Sequence, residues 1–300
     1  MPMKSETAAH KGEITRLSEG LLKLKLSQGK GFFKIGVEKK HGEANSIFLE
    51  MQGHRKFEIG NDCDTCHFWF KCLQDPKMPV SKKVANLPKT IQLPRPVDET
   101  MVGELQPLLD LMDKGEYALF ETSVNLAGPY DSDDENSYFH NTEFMELWDV
   151  ADPKEEDLLS GWEHYEGNRP RIFRHGEGGL LEKQFDFIIP LVPRDALKEE
   201  YVKLYQSMIS QGDRPRILLL GLYQRGVPEA VRKGQGKVLH SFFGGFVLDG
   251  HHKLAAYRRS GVPAKFLTIL SYKASKFSLL KDEGTSVRAK LDDRLGALAV

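Results

Sequence analysis

Between residues 184 and 270, short apolar runs alternate with runs patterned for helices, and this alternation limits the folds open to the chain. The stretches FDFIIPLVP, RPRILLLGLYQ, FFGGFVLDG and VPAKFLTILSY are rich in β-branched, aromatic and Leu residues and are too short for buried helices. RDALKEEYVKLYQSMISQG lies between the first two. Its spacing predicts an amphipathic helix with Leu197, Val202, Leu204, Tyr205, Met208 and Ile209 largely on one side, ended by Gly212. HHKLAAYRRSG follows the third run and predicts a second helix, stopped at Gly261. Strands and helices in this order point to a mixed α/β, or α+β, layer.

The rest of the chain is less regular. Residues 1–100 form a β-rich N-terminal region, in which GFFKIGV and NSIFLEM predict strands joined through KKHGEAN. DPKMPVSKKVANLPKTIQLPRPVDE carries too many prolines for long regular structure and marks a candidate boundary. Residues 101–183 are mixed. MVGELQPLLDLMDKG has helical spacing, with Pro107 expected in its first turn or at a kink, and EYALFETSV predicts a strand. From Asp131 to Glu166 thirteen acidic residues stand against the single base Lys154, yet the stretch holds aromatics such as Trp148 and Trp162. That composition suits an irregular packed insertion better than a disordered tail. Residues 184–300 make the α/β unit.

The chemistry concentrates where the third strand meets its helix. Asp249, Gly250, His251, His252 and Lys253 fall at that junction. The first turn of a helix has amides without internal partners and the positive end of the helix dipole, so it receives phosphate readily. Gly250 would let the backbone approach a ligand, the histidines and Lys253 would add donors, and Asp249 could hold a metal ion or orient a histidine. A plainer reading makes Asp249 the N-cap and Lys253 an exposed helix residue. Adjacent histidines project differently from a helix, so only one is expected to face any one site.

The order of elements and the LDGHHKLAAY motif resemble the ParB/sulfiredoxin-like superfamily, through the register Gly-x-His-basic-x-Ala-Ala over somewhat under a third of the chain. The resemblance implies a nucleotide-phosphate site at Gly250, His251, His252 and Lys253, with ATP, ADP or CTP and Mg2+ as candidate ligands. Asp249, His251 and His252 become catalytic candidates if a phosphoryl group is transferred to a small molecule, and Asp195 or Glu199 are further candidate bases. His251 stands where sulfiredoxins have their reactive Cys, which disfavours that chemistry. Lys253 replaces the usual Arg, so a point charge replaces a two-pronged donor. Only some thirty residues follow Leu270, too few for the helix-turn-helix of partition proteins.

NDCDTCHFWFKC places Cys63 and Cys66 at zinc-knuckle spacing, with His67 and Cys72 to extend the set toward Zn2+. An iron–sulfur cluster or a redox pair remains open on the same residues. The alternative is a buried amphipathic helix in which the cysteines are small core residues. Three clustered cysteines make no disulfide framework and fit a reducing, cytoplasmic compartment. A net charge of −1 gives no pull toward nucleic acid, and no apolar run is long enough to span a bilayer. The expected partner is a nucleotide or another phosphorylated small molecule, with a homo-oligomer left open. A non-catalytic regulatory module and a ParB-like DNA-associated protein are the rival readings.

Overall fold

The computed structural model describes residues 12–39, 45–62, 67–72, 91, 93–124, 126, 166–167, 171–175, 180–192, 196–226, 233–234, 238–277 and 286–299. Its strands in chain order are β1 (Gly12–Ser18), β2 (Leu21–Leu26), β3 (Phe33–Lys39), β4 (Asn45–Met51), β5 (His54–Asp62), β6 (His67–Cys72), β7 (Gly115–Val124), β8 (Glu166–Gly167), β9 (Arg171–His175), β10 (Leu180–Pro190), β11 (Ile217–Gly226), β12 (Val238–Asp249), β13 (Ala264–Ser271) and β14 (Lys276–Phe277). The helices are α1 (Glu99–Leu109), α2 (Glu199–Ser210), α3 (His251–Ser260) and α4 (Val287–Leu298). The fold is α+β.

Ten described strands share one mixed sheet in the order β1-β2-β7-β13-β11-β12-β10-β8, with β14 on β11 and β9 on β10. β10 runs parallel to β12, β11 antiparallel to β12 and parallel to β13. Strands from all three expected segments therefore share one sheet: β1 and β2 join the α/β unit through β7. The remaining strands, β3-β4-β5-β6, form a second antiparallel sheet.

Central strand β11 explains the layering. Ile217, Leu219 and Tyr223 belong to one core with residues of α2, α3 and α4, such as Val202, Leu254, Tyr257 and Leu295. Leu218, Leu220 and Leu222 belong to the other, with Met101, Leu105 and Leu109 of α1 and Phe33, Ile47 and Phe57 of the smaller sheet. Alternate side chains point to opposite faces, so a strand covered on both sides reads as a continuous apolar run, as ILLLGLY does. Each such buried side chain contributes about 1.5–3 kcal/mol, against roughly 1 kcal/mol at most for an exposed ion pair. Burial decides the architecture.

Three expectations change. Leu204 was expected on the buried side of α2 but is 54% exposed, whereas Val202 and Ile209 are buried. Residues 202, 205 and 209 share one helical stripe, and 204 lies well round the helix from 202. Pro107 sits in the last turn of α1 and not its first, because Asp98 caps the helix early by accepting from the Met101 amide at 2.9 Å. The segment HFWFKC is strand β6, paired with β5 from Asp62–His67 to Phe57–Cys72, and not a helix. Its run of Phe68, Trp69 and Phe70 has strand propensity that the helical reading undervalued.

Gly245 of β12 lies opposite Gly221, and a Cβ there would stand 2.3 Å from Leu219 Cδ2 and 2.4 Å from its Cγ. Leu219 is fully buried and has nowhere to retreat. Gly245→Ala should therefore cost about 1–3 kcal/mol by overpacking. Gly103, inside α1 with open space around its Cβ position, should gain about 0.5–1 kcal/mol as Ala. Urea denaturation with unchanged slope would measure both; two substitutions of equal effect would contradict this packing.

Candidate functional site

The third strand does run straight into a helix. Phe246, Val247 and Leu248 are buried, Asp249 ends β12 with a side chain 42% exposed, and α3 begins at His251. Gly250 is the N-cap residue, with φ at 98°. A Cβ at Gly250 would lie 3.2 Å from the Ile217 Cα, so both the backbone conformation and the approach of β11 require glycine. No side chain caps α3, and the Leu254 amide closes the first turn on the Gly250 carbonyl at 2.8 Å. The N-cap residue is thus Gly250 and not Asp249, and glycine has no side chain to offer the first-turn amides.

The parallel strands β10 and β12 end at the same edge of the sheet, and α3 starts there beside the first residues of α2. Open α/β sheets bind ligands at such carboxyl ends. The two histidines join these elements. His251 Nε2 accepts from the Leu191 amide at 3.0 Å, just past β10, and His252 Nε2 accepts from the Lys198 amide at 3.1 Å, just before α2. Two ring nitrogens that accept from N–H groups belong to neutral imidazoles protonated at Nδ1. Burial holds the His252 pKa below its ordinary value; Asp249 opposes this and Lys198 adds to it. The Tyr201 ring meets His252 edge-on at 5.4 Å.

Lys253 does not face solvent. It is 2% exposed, and its ammonium donates to the Arg216 carbonyl at 2.8 Å, with Asp249 Oδ2 at 3.9 Å and the Tyr205 ring centre at 5.7 Å. The ammonium expected in front of a phosphate is instead spent inside, and the alternative of an exposed helix residue fails equally. Burial lowers its pKa to about 8, with Asp249 pulling the other way. Arg216 in turn sends its guanidinium to Glu121 of β7 and to the Arg95 carbonyl ahead of α1. One residue thereby ties α3 through its main chain and α1 through its side chain.

Of the further candidate bases, Glu199 pairs with Arg259 at 2.6 Å on the exposed α2–α3 surface, and this hydrogen bond lowers its pKa. Asp195 lies outside the described residues. At the cysteine cluster, Cys63 and Cys66 also lie outside them. His67 and Cys72 start and end β6, so their Cα atoms are roughly 16–17 Å apart at strand rise. Those two cannot share a single metal ion, because pairing with β5 holds the strand extended and its ends apart. Among the described residues no three His, Cys, Asp or Glu side chains converge as a metal site.

Sequence reasoning missed Leu191, Lys198, Tyr201 and Arg216 as parts of this site. Leu191, Lys198 and Arg216 serve it through main-chain atoms, which leave no mark on residue type. A comparison with protein-family models, curated proteins and solved structures finds no match for the chain.

The position of Lys253 carries a measurable consequence. Its folded pKa of about 8 lies below the ordinary 10.5, so between these values the unfolded chain holds a proton that the folded chain releases. Stability then rises with pH across that window and is lowest below it. The gap corresponds to about 3 kcal/mol. Wild-type stability should gain up to that amount relative to Lys253→Met as pH rises from 8 to 10.5. Parallel pH profiles for the two proteins would return the ammonium to solvent.

Proposed function

We propose that the start of α3 binds the phosphate of a nucleotide or another phosphorylated small molecule, in a module of ParB/sulfiredoxin-like type. The observation that carries this reading is the start of a ten-residue helix at Gly250, φ 98°, where the N-cap residue brings no side chain and β10 and β12 end together. First-turn amides would donate to phosphate oxygens, with the helix dipole behind them. Asp249, the half-exposed carboxylate beside them, would share a Mg2+ ion with those oxygens. Lys253 would act through its field alone. The LDGHHKLAAY register supports the same reading.

Binding fits the geometry better than phosphoryl transfer. A general base needs an open lone pair, and the Nε2 atoms of His251 and His252 are both used as acceptors. A regulatory module that responds to a nucleotide is therefore favoured over a phosphotransferase. The net charge of −1 speaks against a DNA-associated role. Among the described residues no helix is long and apolar enough to cross a membrane. The clustered cysteines favour a cytoplasmic setting.

A thermal-shift panel of ATP, ADP and CTP with Mg2+ tests the site. At about 100 times the dissociation constant a ligand stabilises by about 2.7 kcal/mol. One nucleotide should shift the protein, Asp249→Asn should remove the Mg2+ dependence, and phosphate release should stay at background. No shift with any nucleotide defeats the phosphate reading, and turnover above background restores the enzyme.

For the cysteine cluster we propose zinc on Cys63 and Cys66, which fall in sequence between the paired residues Asp62 and His67. Purified protein should contain stoichiometric zinc that Cys63→Ser removes. Metal-free folded protein would make the thiols structural.

A further inference from the structure

Just ahead of β11 stands a guanidinium that its neighbours leave incomplete. Arg216 is 4% exposed. Its Nε donates to Glu121 and its Nη2 to the Arg95 carbonyl, but its buried Nη1 has no hydrogen-bond partner among the described residues. Arg95 repeats the pattern. Its Nε and Nη2, the two donors of one guanidinium edge, are buried and lack hydrogen bonds among the same residues. Glu104 Oε2 stands 2.8 Å from that Nη2, near enough for an ion pair but without hydrogen-bond geometry. Buried donors without acceptors are costly, and in native proteins they commonly mark a water or an ion.

Charge decides between the two. Lys265 of β13 also reaches Glu121, at 3.5 Å. Three cations, Arg95, Arg216 and Lys265, thus meet two carboxylates, Glu104 and Glu121, with one positive charge in excess. At the same edge of the sheet Arg214 and Arg258 donate to main-chain carbonyls, those of Ile209 and Leu126, each at 2.9 Å. Carbonyls satisfy N–H groups without cancelling charge. A water in front of Arg216 Nη1 would do the same, whereas an anion answers both needs.

We propose that Arg95 and Arg216, with Lys265 beside them, bind one small carboxylate at this edge of the sheet. The Nε and Nη2 of Arg95 make a planar two-pronged edge that matches the two oxygens of a carboxylate. Arg216, tied to the same residue through the Arg95 carbonyl, brings Nη1 as a third donor. A single negative charge balances the single excess cation, whereas a phosphate monoester or inorganic phosphate carries about −1.5 to −2. Arg95, Glu104 and Lys265 have side chains roughly a quarter exposed, which leaves the ligand a way in from solvent. The bonds to Glu121 and Arg95 put this site on the α1 side of the sheet, across it from α3. It does not rest on the phosphate reading.

Titration of the full chain with sodium acetate and, separately, with inorganic phosphate at constant ionic strength tests this, read by arginine side-chain nitrogen resonances. Acetate should bind once per chain and saturate, moving the Arg95 Nε and Arg216 Nη1 signals together. Arg95→Gln should weaken acetate binding by about tenfold or more, since hydrogen bonds to charged groups are worth that much. Arg95→Lys keeps the charge but loses the planar edge, and should not restore binding. Arg214→Gln, whose guanidinium is already engaged by carbonyls, should leave acetate binding unchanged. Urea midpoints show which variants are folded, and the wild-type spectra decide the matter if Arg95→Gln is not. The site is overturned if acetate moves neither arginine saturably, or if Arg95→Lys binds acetate as the wild type does. Tighter binding of phosphate than of acetate at these two residues overturns the carboxylate assignment.

Discussion

The hydrogen bond from the Lys253 ammonium to the Arg216 carbonyl is the constraint from which the arrangement around α3 follows. A buried charge is costly unless it finds acceptors. Here the carbonyl lies at 2.8 Å, the Asp249 carboxylate at 3.9 Å and the Tyr205 ring at 5.7 Å. They come from the approach to β11, the end of β12 and α2. The ammonium can be kept inside only where these three meet in one register. An apolar contact survives a small slide of one element past another, whereas a buried cation parted from its acceptors does not. Hydrophobic burial drives the layers together, and Lys253 fixes how α3 sits on them. The Arg216 side chain extends the same junction to α1 on the opposite face.

With Lys253 turned inward and both histidine Nε2 atoms accepting, the donors left at the helix start are backbone amides, with the field of the buried ammonium behind them. Asp249 stands beside it as a half-exposed carboxylate, and a bare phosphate would feel its repulsion at close range. A divalent cation removes that conflict by giving the carboxylate and the phosphate a common partner. On the proposed reading, the ligand of this site is thus a metal–phosphate pair and not a free anion.

Much of the fold was legible because its signals are local. ILLLGLY marked β11, KLAAYRR and Gly261 marked α3 and its end, and EYALFETSV marked β7. What sequence could not convey is non-local pairing. Nothing in LLKLKL says that β2 will pair with β7, and so carry the N-terminal strands into the C-terminal sheet. The site divides in the same way. Gly250 stood out in the sequence as a place where a ligand could approach; its positive φ and the nearness of Ile217, which require glycine there, could not be read from it. Lys253 was misread because its inward turn depends on a main-chain carbonyl thirty-seven residues away in sequence. The histidine partners are amides, and every residue but proline has one. HFWFKC was ambiguous at its length, and pairing with β5 settled it as a strand.

Energies set how far the observed geometry binds the chemistry. Each histidine–amide bond has a net value of about 0.5–1.5 kcal/mol. A ligand held at micromolar affinity brings about 8 kcal/mol, several times what is needed to break either bond. The pins are thus strong enough to order the free protein and weak enough to be exchanged for a ligand. An imidazole released in that exchange and protonated would present two N–H donors beside the α3 amides, where an anion could accept them. An imidazole released neutral would instead expose its Nε2 lone pair, the group that a general base needs. Which of these roles His251 and His252 take on the proposed reading is set by whether the ligand or the solvent supplies a proton as the amide partner leaves.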